Sequence, residues 1–163
     1  MPLDLHRIDD RLIHGQVVVG WGQPLELRVI VLVDDEVAAS EWEQDLYRMG
    51  VPPDMSVVFC TVDEAVARHA EFGRDARHAL LLTGDIDTMA RLCERLPAIR
   101  RVNVGGIHHK PGRHQRLRYV FLTPDEERAL RAIAARGVEV TAQDLPAARP
   151  VPIDELLGGA AAS

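Results

Sequence analysis

Short apolar runs alternate with stretches of helical periodicity along most of the chain. The runs are rich in valine, isoleucine and leucine, a composition typical of strands that are covered on both faces. They predict seven strands, at residues 3–8, 28–33, 56–60, 79–83, 101–104, 119–122 and 138–141. The periodic stretches predict helices at about 12–21, 35–49, 61–72, 86–96 and 124–136. This alternation favours an α/β fold, in which helices cover both faces of a mostly parallel sheet.

Residue types at the predicted helix starts support these boundaries. Thr61 and Glu64 have the spacing of a capping box, and Thr123 stands before a proline and a run of acidic residues, which favour a helix start. One connection departs from the pattern, because residues 105–118 show no helical period. A parallel crossover normally contains a helix, so the strand at 119–122 can run antiparallel.

Most of the chain is expected to form one domain. The 163 residues are 47% hydrophobic, which is typical of a globular chain and excludes disorder of the whole. We assign residues 1–146 to the domain and 147–163 to a C-terminal tail, part of which is expected to dock as a short helix at 153–157. The two cysteines, Cys60 and Cys93, lack metal-ligand spacing and are expected to be buried thiols.

Charge and hydropathy narrow the range of partners. The net charge of −6 argues against non-specific binding to nucleic acid. No apolar run approaches the roughly 20 residues that a membrane-spanning helix needs. The N-terminus does not pair a basic segment with an apolar one, as a secretory signal does. We therefore expect a cytoplasmic location.

Candidate chemistry is expected just after the strands, since ligands in open α/β sheets bind beyond the carboxyl ends of the strands. These segments contain acids, hydroxyls, histidines and glycines. They lack the Gly-rich dinucleotide fingerprint and the phosphate-binding Gly-Lys-Ser/Thr loop, as well as a G-x-S-x-G nucleophile elbow. Nicotinamide, flavin, nucleoside triphosphate and serine-hydrolase chemistries are therefore disfavoured.

The segment after the first strand, with the sequence RIDDRLIHGQ, carries the most specific pattern. His14 is expected in the first loop or the opening turn of the first helix, where backbone N–H groups favour an anion. Arg11 can donate two hydrogen bonds to phosphate oxygens. Asp9 or Asp10 can accept a hydrogen bond from one imidazole nitrogen and leave the other free as a nucleophile. From the residues alone, an ordinary surface histidine remains the alternative.

Further residues near the strand ends are candidates for binding phosphate or a partner. They are Gly15, Gln16, Thr83, Gly105, Gly106, Lys110 and Arg113. The first glycine keeps bulk away from the reacting nitrogen, the threonine can donate its hydroxyl to phosphoryl oxygens, and the basic loop at 108–118 can overhang His14. A solvated loop is the alternative. Adjacent histidines in one loop rarely converge on an ion without a carboxylate or thiolate at fixed spacing, so we expect no metal.

The sequence RIDDRLIHGQV, followed by a Gly-Trp pair at 20–21, resembles the start of the enzyme IIB subunit in the mannose/fructose/sorbose class of the bacterial sugar phosphotransferase system. The resemblance continues along the chain as far as residue 146. It includes VDDEVA at 33–38, LLLTGDIDTMARL at 80–92, VNVGGIHHKPGRHQ at 102–115 and GVEVTAQDLP at 137–146. The chain departs from the common family pattern at the His-His-Lys-Pro stretch of the third of these segments.

This resemblance implies a three-layer α/β/α sandwich on a seven-stranded sheet. It also implies that His14 takes a phosphoryl group on Nδ1 from a phosphohistidine of a IIA protein, and passes it to a sugar held by the membrane subunits IIC and IID. Arg11 matches the arginine that helps to hold the phosphoryl group, and Asp9 and Asp10 match its acidic neighbours. No cofactor is implied.

We therefore predict a phosphocarrier and sugar phosphotransferase subunit at the inner face of the membrane, bound there through the transporter subunits. Homo-oligomerisation is left open. The alternative is a regulatory phosphoprotein or binding module of the same fold that has no role in transport. A third class, an enzyme acting on sugar phosphates or nucleotides, would need further acid–base groups that the sequence does not show.

Overall fold

The computed structural model describes residues 3–158. Within that range the strands are β1 (Leu3–Ile8), β2 (Val29–Val33), β3 (Ser56–Cys60), β4 (Ala79–Thr83), β5 (Arg101–Val104), β6 (His114–Leu117), β7 (Val120–Leu122), β8 (Glu139–Ala142) and β9 (Val151–Pro152). The helices are a π-helix at Gln16–Trp21, α1 (Asp35–Ala38), α2 (Glu41–Met49), α3 (Val62–Arg74), α4 (Ile86–Arg95), α5 (Pro124–Ala135) and α6 (Ile153–Leu156). No helix among the described residues is long and apolar enough to cross a membrane.

Seven strands form one sheet in the order β3-β2-β4-β1-β5-β8-β9. All neighbours in it are parallel except β9, which pairs antiparallel with β8. Ile8 lies opposite Thr83 on one side and Val104 on the other. The carboxyl ends of β1, β4 and β5 therefore meet at one level of the sheet, and the predicted α/β architecture is confirmed.

The strand predicted at 119–122 occupies a different place from the one expected. Residues 120–122 run antiparallel, as expected, but they pair with β6 in a separate hairpin and do not join the large sheet. A hairpin needs no crossover helix, which is why this connection shows no helical period. Ile107 anchors it to the exit of β5, since its N–H donates to the Tyr119 carbonyl and its own carbonyl accepts from Phe121, both at 2.9 Å.

The seventh strand of the sheet comes instead from the predicted tail. Val151 pairs with Ala142, and the predicted short helix follows directly as α6. Leu156 and Leu157 are buried in the same core as the helices α3 to α5. Residues 159–163 lie outside the described residues.

Two apolar cores cover the two faces of the sheet. The larger lies under α3, α4, α5 and α6. The smaller lies under the π-helix and the residues before it, and includes Ile30, Leu32, Leu80 and Leu82. Alternate residues of β2 and β4 enter opposite cores, which explains why these strands are apolar throughout.

The first predicted helix begins later than expected. Leu12 has a φ of 58°, outside the helical region, and its N–H donates to the Asp9 carbonyl in a tight turn. Such a φ is uncommon for a residue with a side chain. Leu12 is held in place by burial against Gly84. The helix starts only at Gln16, and it is a π-helix.

Local signals elsewhere gave accurate element ends. The capping box of Thr61 and Glu64 is present, and Thr123 caps α5 in the same way. The helix predicted at 35–49 is divided into α1 and α2, because Ser40 accepts a hydrogen bond from the Glu43 N–H and starts a new helix. Both cysteines are buried and unbridged, as predicted.

Candidate active site

A cleft of about 300 Å³ lies at the carboxyl ends of β1, β5 and β8. The chain leaves β1 towards β2 on one side of the sheet and leaves β5 towards β8 on the other, so the loops after these two neighbouring strands diverge. Such a switch point is where open α/β sheets bind ligands. The cleft is lined by Asp9, Arg11, His14, Gln16, Gly106, His108, Arg118, Tyr119, Phe121 and Asp144. A larger cavity of about 410 Å³ at the amino ends of the strands shares none of these residues.

His14 stands at the start of the π-helix, where its carbonyl accepts from the N–H groups of Val17 and Val18. Its Nε2 lies 3.1 Å from the Asp9 Oδ1, and 17% of the side chain is exposed. A carboxylate can only accept, so this contact places a hydrogen on Nε2 when the ring is neutral. The lone pair is then on Nδ1, which makes no hydrogen bond within residues 3–158 and is the nitrogen available for reaction.

Asp9 is almost fully buried, with 1% of its side chain exposed. Its Oδ1 also accepts from the Arg11 N–H at 3.2 Å. Burial acts to raise the pKa of Asp9, but the hydrogen bond and charge of His14 and the charge of Arg7 outweigh it, and the pKa is lowered. Asp9 therefore stays ionised and fixes both the tautomer and the orientation of His14.

Arg7 is the counter-charge of Asp9, and sequence reasoning missed it. Its side chain is fully buried, with Nη2 3.5 Å from the Asp9 Oδ2. It also donates to the Asn103 side chain and to the carbonyls of Gln143 and Asp144. Burial lowers the pKa of Arg7, while Asp9 and Asp144 oppose that shift. The available signal was a charged residue inside a strand, two positions before Asp9.

Asp10, the other predicted carboxylate, faces away from His14. Its Oδ1 lies 2.5 Å from the His108 Nδ1, and its Oδ2 accepts from the His108 backbone N–H at 2.7 Å. Arg11 reaches the opposite nitrogen of the same ring, with Nε at 3.1 Å and Nη2 at 2.8 Å from the His108 Nε2. Of the two aspartates, Asp9 therefore contacts His14, and Asp10 ties down the loop after β5.

These groups make the cleft suited to carrying a transferable anion. A nucleophilic nitrogen is held by a buried carboxylate, and the Arg11 guanidinium is exposed beside it. The arrangement meets the needs of phosphoryl transfer, which are positioning and stabilisation of charge.

Comparison with known proteins agrees with this geometry. A family model described as "PTS system sorbose subfamily IIB component" matches residues 3–163. The chain belongs to this IIB family. It is thus a IIB component of the sorbose class of sugar transport, and its activity is of the phosphotransferase type. The family predicted from the sequence motifs is confirmed.

This IIB protein is similar to individual relatives over most of its length. It is 33% identical to the sorbose-specific EIIB component of Klebsiella pneumoniae over 141 residues, which are 86% of this chain and 85% of that protein. It is 31% identical to the mannose-specific EIIAB component of Escherichia coli over 140 residues, which are 86% of this chain but 43% of that longer protein. The crystal structure of the IIB domain of the sorbose permease from Klebsiella pneumoniae matches it with a TM-score of 0.87 at 28% identity, covering 98% of each chain.

Some of the predicted binding residues of this IIB protein lie in or beside the cleft. Gln16 lines it and donates to the Asp144 Oδ1 at 2.9 Å. Gly106 also lines it. Gly15 follows His14, and a Cβ there would meet nothing within 4 Å. Space for a bound group is therefore open next to His14.

The remaining predicted residues lie outside the cleft lining. Thr83 is fully buried, and its hydroxyl donates to the Asp85 carbonyl at 3.3 Å. Gly105 packs against the Arg7–Asp9 pair. Lys110 is exposed at the loop tip. Arg113 is mostly buried and donates two hydrogen bonds to Glu126 and one to the His108 carbonyl.

Asp144 is a further cleft residue that the sequence did not single out. It accepts from Gln16 and from Arg118, while its carbonyl accepts from Arg7 and from the Trp21 indole N–H. It therefore joins the exit of β8 to the π-helix. Its place three residues after a predicted strand was the only signal for it.

Proposed function

We propose that this IIB component carries a phosphoryl group on the Nδ1 of His14. It accepts the group from a phosphorylated IIA protein and passes it to a sugar held by the IIC and IID membrane subunits. The observation that carries the proposal is the contact between the His14 Nε2 and the buried Asp9, because it leaves Nδ1 as the nucleophile.

The first transfer begins with neutral His14. The Nδ1 lone pair forms a bond to phosphorus as the N–P bond to the IIA histidine breaks, and the His14 ring then carries a positive charge with its hydrogen still on Nε2. Asp9 accepts a hydrogen bond from that N–H, and its negative charge balances the positive charge of the ring. Arg7 keeps Asp9 ionised and in place, so the same pair makes His14 a good leaving group in the second transfer.

Arg11 is the electrophilic partner in this proposal. Its guanidinium is exposed and is held only by His108 within the described residues. Rotation of this side chain brings two donors in a planar fork towards phosphoryl oxygens. Its backbone N–H stays on Asp9, so the residue remains anchored while the side chain moves.

The partners follow from the family and from one relative. The mannose-specific relative is named EIIAB and is more than twice as long as the part that this chain matches, which supports a IIA partner that acts on this domain. The sugar acceptor is presented by IIC and IID, which place the protein at the cytoplasmic face of the membrane.

The test is incubation with labelled, phosphorylated IIA protein, followed by mapping of the modified residue. We expect acid-labile, base-stable label on His14, and none in His14→Ala. His109→Ala is the matched control, since it removes a histidine from the loop beside the cleft and should label normally. Undiminished labelling of His14→Ala would disprove the assignment.

A further inference from the structure

His108 has a defined tautomer that its two neighbours fix independently. Asp10 accepts from the His108 Nδ1 at 2.5 Å, which places the hydrogen on Nδ1 because a carboxylate cannot donate. Arg11 reaches Nε2 with two nitrogens, and a guanidinium can only donate. Both contacts therefore place the unprotonated lone pair of His108 on Nε2.

This lone pair faces Arg11, which lines the same cleft as His14. His108 lines that cleft as well, and its side chain is 45% exposed. Its ring lies close to the backbone of Gly106, where an added Cβ would come within 3.4 Å of the His108 Cε1. The Asp10 carboxylate holds both the ring and the backbone N–H of His108, so the base is fixed in place and does not belong to a free loop.

We propose that His108 is the general base for the second transfer, from His14 to the sugar. This inference rests on the proposed function and adds a catalytic residue to it. The acceptor hydroxyl oxygen forms a bond to phosphorus while the bond between phosphorus and the His14 Nδ1 breaks. The hydroxyl proton passes to the His108 Nε2, and Asp10 stabilises the resulting imidazolium. His14 returns to its neutral form with Nε2–H on Asp9, and His108 then releases its proton to solvent.

Arg11 gives the two transfers an order. In the unphosphorylated protein its guanidinium occupies the His108 Nε2. When a phosphoryl group is present on His14, it competes for the same guanidinium, and the His108 lone pair becomes free. The base is thus exposed only when there is a phosphoryl group to transfer. The charged groups that face His108 and its anchor are Asp10, Arg11 and Arg113, and those elsewhere in the cleft are Asp9, His14, Arg118 and Asp144.

The experiment measures the two transfers separately in the full-length protein. The first is the rate of labelling by phosphorylated IIA, in which no hydroxyl proton is moved. The second is the rate at which the labelled protein loses its phosphoryl group to sorbose or mannose in vesicles that contain IIC and IID. The variant is His108→Asn, which keeps a donor for Asp10 near the place of Nδ1 and removes Nε2. His109→Asn is the control, because His109 packs edge-on against Phe121 and does not line the cleft.

We expect His108→Asn to label as fast as wild type or faster, and to transfer to sugar about a hundredfold more slowly, as is typical for loss of a general base. His108→Gln should show the same split. An equal loss of rate in both transfers would overturn the proposal and leave His108 as a support for Arg11. An unchanged rate of the second transfer would also overturn it. Failure of the wild type to label would instead refute the proposed function.

Discussion

The buried pair of Arg7 and Asp9 is costly to form, because two charges lose their hydration. The structure offsets that cost with further partners, namely Asn103 and two carbonyls on Arg7 and the Arg11 N–H on Asp9. Arg7 also lies over the Trp21 ring, with its Cζ 4.7 Å from the ring centroid. A charge held this firmly keeps a carboxylate in one position behind His14.

The Arg7–Asp9 pair leaves no room for a side chain at Gly105. An added Cβ would lie 2.6 Å from the Arg7 Cζ and 2.8 Å from the Asp9 Oδ2. We expect Gly105→Ala to lower the free energy of unfolding by about 1–3 kcal/mol, the usual cost of overpacking, and to slow labelling of His14. Urea unfolding and labelling by phosphorylated IIA measure the two effects. Gly73→Ala in α3 is the control, because a Cβ there meets open space, and it should neither lower stability nor slow labelling. Equal losses in the two variants would mean that crowding of the Arg7–Asp9 pair is not the cause.

Arg11 is predicted to matter for rate and not for stability. Two charge-assisted hydrogen bonds to the phosphoryl group are worth about 1.5–3 kcal/mol, so Arg11→Ala should slow labelling of His14 roughly ten- to a hundredfold. Arg11→Lys should recover only part of the rate, because an ammonium lacks the planar fork. Arg128→Ala removes an exposed arginine from α5 and serves as control. Normal kinetics in a folded Arg11→Ala protein would limit Arg11 to its contact with His108.

Sequence reasoning found the part of the site that is local in the chain. His14, Arg11 and Asp9 lie within six residues of one another and share one motif. The contacts of Arg7 with Asn103 and of Arg11 with His108 span 96 and 97 residues. A single sequence carries no signal for such pairings. The burial of Arg7, and the fact that Asp9 contacts His14 while Asp10 contacts His108, are therefore seen only in the folded structure.

At the scale of elements, the edge strand β9 and the helix α6 complete the larger core. Leu157 directly follows α6 and is fully buried, with Leu156 and Val151 beside it in that core. The segment that contributes them was predicted as a tail because it is short and rich in proline. Its pairing with β8 involves only two residue pairs, too few to give a strand pattern in the sequence. The capping box of Thr61 and Glu64, by contrast, involves four consecutive residues and was predicted correctly.

The importance of this segment can be measured at Leu157. Leu157→Ala should lower the free energy of unfolding by about 2–5 kcal/mol, as for other buried leucines. Leu46→Ala is the matched control, because that leucine on α2 is half exposed and its loss should change stability by less than about 0.5 kcal/mol. Equal small effects in urea unfolding would mean that the C-terminal segment adds nothing to the core.

At the scale of the whole molecule, strand order determines where the chemistry lies. With β1 between β4 and β5, the loops after β1 and β5 separate at the middle of the sheet. The cleft opens there, and the hairpin of β6 and β7 forms its outer wall through Tyr119 and Phe121. The general rule for open sheets predicted the correct edge of the sheet from sequence, but the hairpin wall required the pairing of β6 with β7.

Acid stability is a property of the whole molecule that one partly buried contact should influence. His6 on β1 lies with its Nε2 3.2 Å from that of His69 on α3, and the rings are stacked. Burial, and next the nearby His69, lower the pKa of His6 from 6.5 to about 4. Burial also lowers the pKa of His69. Both histidines are therefore neutral in the folded protein under conditions in which the unfolded chain binds protons.

The sign of the pH dependence follows from this difference. Above pH 6.5 neither state binds a proton at His6, and stability is at its full value. Between pH 6.5 and about 4 the unfolded chain is protonated and the folded protein is not, so the free energy of unfolding falls as the pH falls. His6 alone should account for a loss of about 2 kcal/mol by pH 5 and about 3 kcal/mol in total. Most carboxylates titrate lower, so the range from pH 5 to 6.5 reports mainly on histidines.

Urea unfolding of the wild type and of His6→Phe at several pH values between 5 and 7.5 tests this prediction. Phenylalanine keeps a ring to stack on His69 but cannot bind a proton, so the variant should lose most of the slope between pH 6.5 and 5. His114→Gln removes an exposed histidine from β6 and should keep the wild-type slope. If His6→Phe keeps that slope as well, the acid sensitivity arises elsewhere, and the contact between β1 and α3 has no part in it.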